Sequence, residues 1–116
     1  LNGDGEQSRG FTYVDDIARG TILGLKPVGY ELINLGGSQV ITINQLIKTL
    51  EDLIGRKAQV THLPRHPADM STNLASVEKA GQLLGWEPTV SLKEGIARLV
   101  AWYQAERSWA RDIKTE

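Results

Sequence analysis

The chain contains no cysteine. Disulfides, thiolate metal sites and thiol nucleophiles are excluded, and burial of apolar surface has to supply the stability. That usage fits a reducing compartment, and a cytoplasmic location is expected. An excess of charge of either sign is also lacking. The 13 Lys and Arg residues stand against 14 Asp and Glu, a formal net charge of −1, so there is no long-range field of the kind that nonspecific nucleic-acid or anionic-membrane binding needs. No apolar run approaches the roughly 18 residues of a membrane span, and the start has no basic-then-apolar secretory layout. Neither nucleic acid nor a membrane is an expected partner. An initiator methionine is missing too: the chain opens Leu1-Asn2-Gly3-Asp4-Gly5, and a processed, trimmed or partial polypeptide is expected.

What is present is an ordinary globular composition. Hydrophobic residues make up 41% and charged residues 23% of the 116 positions, too apolar for a disordered chain and sufficient for a core. The length suits one domain, not the two lobes of a typical cofactor-dependent enzyme. Residues 1–116 are read as a single unit without repeat, low-complexity tract or internal linker.

The polar, Gly-rich opening reads as a loop, and the β-formers Phe11-Thr12-Tyr13-Val14 predict a short strand. Asp15 or Asp16 is expected to cap a helix from about Ile17 to Leu25, stopped by Lys26-Pro27 and Gly29. Tyr30 to Leu35 fits a second strand, ended by Gly36-Gly37-Ser38. Thr42-Ile43-Asn44-Gln45 is a capping box. Behind it Ile43, Leu46, Ile47, Leu50, Leu53 and Ile54 recur at helical steps, and Gly55 supplies a left-handed terminus. Ala58 to Leu63 alternates enough for a third strand, while Pro64 and Pro67 hold Arg65-His66 extended or turning. Ser76 is expected to cap a short helix ended by Gly85. Ser91-Leu92-Lys93-Glu94 is a second capping box, opening a helix with Leu92, Ile96, Leu99, Val100 and Tyr103 on one docked face. Residues from about Ala110 to Glu116 are expected to fray. Three or four strands interleaved with four helices make a small α/β layout.

Several chemical readings fail on these residues. Gly3-Asp4-Gly5 begins like a dinucleotide fingerprint, but Ser8 replaces the third glycine and no strand precedes it. Gly5 to Thr12 imitates a P-loop with Phe11 where the lysine belongs. Pro64 breaks any helical pairing of His62 with His66, and on an extended segment the two rings stand about 14 Å apart at roughly 3.4 Å per residue. No metal site is expected. Gly-x-Ser-x-Gly is absent. Asp15-Asp16 could hold magnesium, but adjacent acids at a helix start serve more often as a cap in a favourable dipole. Trp86, Trp102 and Trp109 could stack on a sugar or base, or serve as core or lobe-contact residues. A donor-rich set remains: Arg9 in a Gly-flanked loop, able to bind a diphosphate bidentately or to be a solvated surface arginine, and Arg65, His66 and Asp69 in another loop, with a carboxylate suited to a ribose diol.

Taken together, Gly3-Asp4-Gly5-x-Gln7-x-Arg9-Gly10-Phe11-Thr12-Tyr13-Val14-Asp15-Asp16, Asn34-Leu35-Gly36, Pro67-Ala68-Asp69, Ala75, Lys79-Ala80 and Leu84-Gly85-Trp86-x-Pro88 resemble one family. They look like the C-terminal part of the NAD-dependent epimerase/dehydratase family, extended short-chain dehydrogenases acting on nucleotide sugars. The resemblance runs from about residue 3 to about residue 103 in family order, and UDP-glucose 4-epimerases and UDP-glucuronate epimerases are the most alike. It implies a small substrate-binding lobe without the Rossmann domain. It further implies that Arg9 binds the substrate diphosphate, with Gly10 in place of the usual neighbouring acid, and that Asp69 meets the ribose. His66 stands at the family's phosphate-gripping arginine and Ala68 at its glycine, so that either His66 or Arg65 takes this role. Ile33-Asn34 matches a strand end close to the nucleotide.

The resemblance also implies what the chain does without. In that family a Tyr-x-x-x-Lys pair and a nearby Ser or Thr work with NAD on a sugar carbon. Tyr13, Tyr30 and Tyr103 are followed at the fourth position by Ile17, Asn34 and Arg107, so no catalytic residue and no cofactor-binding residue is expected here. NAD is expected in an N-terminal Rossmann domain of the parent enzyme. That domain and a UDP-type sugar are the implied partners, and the isolated lobe is expected to show an apolar face and to self-associate through it. The alternative is a stand-alone α/β binding or regulatory module without catalysis.

Overall fold

The structure, a computed structural model, describes residues 1–37 and 39–113. Ser38 of the expected turn and residues 114–116 of the expected polar end lie outside the described residues.

Seven elements follow one another: β1 (Ser8–Gly10), α1 (Val14–Leu23), β2 (Val40–Thr42), α2 (Ile43–Ile54), β3 (Thr72–Asn73), α3 (Glu78–Leu84) and α4 (Leu92–Ala110). The small α/β character and the four helices agree with the sequence, whereas the strands fall elsewhere. The sheet has the order β2-β1-β3, with β1 in the middle. It pairs antiparallel with β2, Arg9 opposite Ile41, and parallel with β3, Arg9 opposite Asn73. The expected strand at Phe11 to Val14 is corrected to Ser8–Gly10, because Val14 already opens a helix and the ladder partners lie beside the preceding three residues.

The two other expected strands are corrected as well. Ala58 to Leu63 forms no ladder and contributes one isolated bridge, Leu63 to Asn2. Tyr30 to Leu35 pairs with no strand among the described residues. Its sides still differ. Ile33 and Leu35 pack on the core, while Tyr30 and Leu32 are 93% and 81% exposed. A β-former segment needs a neighbour to bond its main chain, and the described residues offer none.

The helices obey their termini more closely. Thr42 accepts from the Gln45 N–H at 3.1 Å and the Gln45 side chain accepts from the Thr42 N–H at 2.9 Å, the complete capping box of α2. Gly55 closes it in the left-handed conformation, at φ 72°. α4 starts on Ser91, whose hydroxyl accepts from the Glu94 N–H at 3.3 Å. The Glu94 carboxylate turns to Arg98 instead of back to the cap, so this end is half a box. α3 is preceded by Val77 rather than capped by Ser76.

The core is built around Trp86. Ala80, Leu84 and Trp86 are buried together, with Leu23, Val28, Ile33, Leu35 and Val77 packed against them. α1 approaches through Gly20, where a Cβ would come within 2.7 Å of Leu35 and 2.8 Å of the indole nitrogen of Trp86. The expected docked face of α4 is only partly covered: Ile96 is buried, while Leu99 and Tyr103 stay half exposed. Trp102 and Trp109 are half exposed also and meet edge to face at 5.8 Å. No helix among the described residues is long and apolar enough to cross a membrane.

Candidate functional site

Residue Arg9 lies at the centre of the three-stranded sheet and its side chain turns toward the loop that precedes β3. From Nη1 it donates to the carbonyls of Ser8 and Met70, both at 2.8 Å, and from Nη2 to the carboxylate of Asp69. The two ionic side chains are 26% and 23% exposed, enough for a ligand to reach them. Pairing with β3 is what places them together, since it brings residues 69 to 73 alongside β1 although 60 positions separate Arg9 from Asp69.

The loop carrying Asp69 is tied at both ends. Leu63 donates to the Leu1 carbonyl at 2.8 Å and accepts from the Gly3 N–H at 2.9 Å, which anchors the start of the Pro64–Pro67 stretch. Past it, the Asp69 N–H reaches the His66 carbonyl at 2.9 Å, His66 Nδ1 accepts from the Ala68 N–H at 3.2 Å, and Arg65 donates to the Asp69 carbonyl at 3.1 Å. Four residues singled out in the sequence, Arg9, Arg65, His66 and Asp69, are therefore gathered in one place. His62 is held apart by its Nδ1–H on the Gly3 carbonyl at 2.8 Å. Among the described residues no group of three or more His, Cys, Asp or Glu side chains converges as metal ligands would.

Ile33 and Asn34 stand elsewhere. Ile33 turns into the core and Asn34 donates to the Ser76 carbonyl at 3.4 Å. The chain right after them returns to Arg9, however. Leu35, Gly36 and Gly37 line a cleft of about 210 Å³ with Arg9, Gly10, Thr12, Asn73 and Ala75. Gly37 is required there, because a Cβ would lie 1.9 Å from the Phe11 carbonyl oxygen. Asn73 and the carbonyls of Ser8 and Met70 escaped the sequence reading. β3 is two residues long, too short for any periodicity, and main-chain acceptors carry no side-chain signature.

Asp16 was misread. Tyr13, not an aspartate, occupies the N-cap of α1 and makes no side-chain cap bond. Asp16 is instead 1% exposed. It accepts from the Thr89 N–H at 3.0 Å, the Thr89 hydroxyl at 2.8 Å, the Val90 N–H at 2.9 Å and Arg19 at 2.9 Å. Its own carbonyl takes the Trp86 indole N–H at 2.8 Å. Burial by itself would push this carboxyl up, but the Val90 N–H, the Arg19 guanidinium and the two Thr89 donors together hold it well below the usual carboxylate range. The residue clamps α1 to the 86–90 segment.

The loop of Gly3 to Gly5 does not fit a dinucleotide. It leads into strand β1 and not into a helix, and the first N–H groups of α2, which lies beside it, are taken by the Gln7 and Gly5 carbonyls at 3.1 Å each.

No protein-family model matches the chain. Over 113 residues it is 52% identical to the UDP-glucuronate 4-epimerase of Thermodesulfobacterium geofontis, a match covering 97% of this chain and 35% of that protein. The UDP-glucuronic acid 4-epimerase of Bacillus cereus, solved with UDP-glucuronic acid and NAD, superposes with a TM-score of 0.84 at 35% identity, over 91% of this chain and 35% of that one. The UDP-glucose 4-epimerase of Thermotoga maritima with UDP-glucose gives 0.85 at 34% identity, over 92% and 35%. The chain is homologous to the C-terminal part of NAD-dependent UDP-sugar epimerases. Its similarity to a UDP-glucuronate 4-epimerase, at 52% identity, is well above that to the two solved enzymes, and it spans 35% of the length of each of the three.

Proposed function

We propose that this chain is the nucleotide-sugar-binding part of an NAD-dependent UDP-sugar epimerase, in which Arg9 grips the diphosphate and Asp69 accepts from the ribose diol. The observation that carries the reading is the convergence of Arg9 with Arg65, His66 and Asp69 beside the Gly36-Gly37 cleft. A guanidinium suits a phosphate and a carboxylate suits a vicinal diol. Arg65 and His66 supply the neighbouring phosphate donors, and Ile33-Asn34 anchor the chain that leads into the Leu35 to Gly37 side of the cleft. NAD and the proton-transferring residues belong to a Rossmann portion in the parent protein. This chain's share of the work is to bind and orient the sugar nucleotide against it.

The surface supports such a companion. Tyr30 and Leu32 stand exposed on an extended segment without a ladder partner, and Val14, Leu25 and Leu99 are more than half exposed nearby in sequence or on the helices. The same apolar surface is the route by which the chain alone would self-associate. A cytoplasmic setting, compatible with a sequence without cysteine, is part of the proposal.

Calorimetric titration of the chain with UDP tests it. Saturable binding is expected, weakened about tenfold or more by Arg9→Ala with the melting transition kept, the scale of a lost charge-assisted hydrogen-bond pair. Equal binding by the variant would overturn the assignment.

A further inference from the structure

The side chains assigned to the two ends of the nucleotide are bound to each other. We infer that Asp69 competes with phosphate for Arg9, and that only a ligand offering both a diphosphate and a ribose diol releases it without loss, so that the pair selects nucleoside diphosphates against free pyrophosphate. The inference rests on the function proposed above.

A guanidinium has five N–H groups, and a bidentate grip on phosphate needs two parallel ones. Nη1 of Arg9 is committed to the carbonyls of Ser8 and Met70. The remaining fork is the Nε–Nη2 edge, and Nη2 is the atom that Asp69 holds. A phosphate drawn to that edge arrives beside a carboxylate, and two anions a few ångströms apart repel. Arg9 does not depend on Asp69 for its position, because the two carbonyls hold it. Nor does the loop depend on the ion pair. The Asp69 main chain is fixed by the His66 carbonyl at 2.9 Å and by Arg65 at 3.1 Å, so the carboxylate can turn about its own torsions while the backbone stays. Once turned, its oxygens can accept two hydroxyl protons. Pyrophosphate breaks the same pair and gives the carboxylate nothing. Specificity is a difference of affinities, and here the unfavourable half is built into the site.

Pyrophosphate and UDP titrated separately into the full chain, as wild type, Asp69→Ala and Arg9→Ala, test this, with thermal melts confirming that each is folded. Asp69→Ala is expected to bind pyrophosphate about threefold or more tightly than wild type, the scale of a solvent-accessible ion pair, and to bind UDP more weakly. Arg9→Ala is expected to lose both. Pyrophosphate affinity unchanged or lowered in Asp69→Ala, with Arg9→Ala still deficient, would overturn the competition and leave the proposed function standing. UDP binding undisturbed by Arg9→Ala, or absent from the wild-type chain, would overturn both.

Discussion

Asp15 and Asp16 are adjacent and chemically alike, yet the fold uses them in opposite ways. The Asp15 side chain is 69% exposed, 3.8 Å from Arg98, while Asp16 is buried under four donors from Arg19, Thr89 and Val90. A cap could be read from the sequence because acids favour a first helical turn. The clamp could not, since three of its four donors, on Thr89 and Val90, lie more than 70 positions away. Removing the carboxylate by Asp16→Ala strands those donors, and a loss of about 3 kcal/mol in denaturant unfolding is expected. The pH dependence has a definite sign. Because the folded-state pKa is lowered from the ordinary 3.8, the stabilisation is complete above that value and disappears as the pH falls below it. Asp16→Asn should flatten this part of the acid limb; an unchanged acid transition would contradict the clamp. Arg9 and Asp69, by contrast, were legible as types suited to a nucleotide, and what the sequence could not tell was that they touch.

Among the elements, α2 was readable from end to end because every signal on it is local: the cap, the helical apolar period and the terminal glycine lie within Thr42 to Gly55. Thr42→Ala removes the acceptor at its start and is expected to cost about 1 kcal/mol, measurable as a lower midpoint in urea, whereas no shift would mean that the cap is redundant with packing. Strands are read less well because a ladder is a tertiary object. Ser8-Arg9-Gly10 has no β-forming sequence and becomes the central strand because β2 and β3 flank it. Tyr30 to Leu35 has the sequence and the sidedness but lacks the neighbour.

At the scale of the molecule the apolar surface is incompletely used. Among the described residues the buried apolar side chains are Ala80, Leu84, Trp86, Ile96 and Ala110. The radius of gyration is 16.6 Å, against about 13 Å for a compact domain of this length. Self-association is the outcome expected of that imbalance, and sedimentation velocity should then show a mean mass rising with concentration. Leu32→Lys places a charge on the unpaired segment at a side chain already 81% exposed, so it should suppress the association without lowering the melting temperature; an unchanged mass would move the sticky surface elsewhere. Backbone amide NMR titration with UDP-glucuronic acid and, separately, NAD tests whether this stretch of chain serves the sugar nucleotide and not the dinucleotide. Saturable shifts are expected at Arg9, at Arg65 to Asp69 and along Leu35 to Gly37 with the UDP-sugar, and none there with NAD. Shifts with NAD at those positions, or none with the UDP-sugar, would contradict that role.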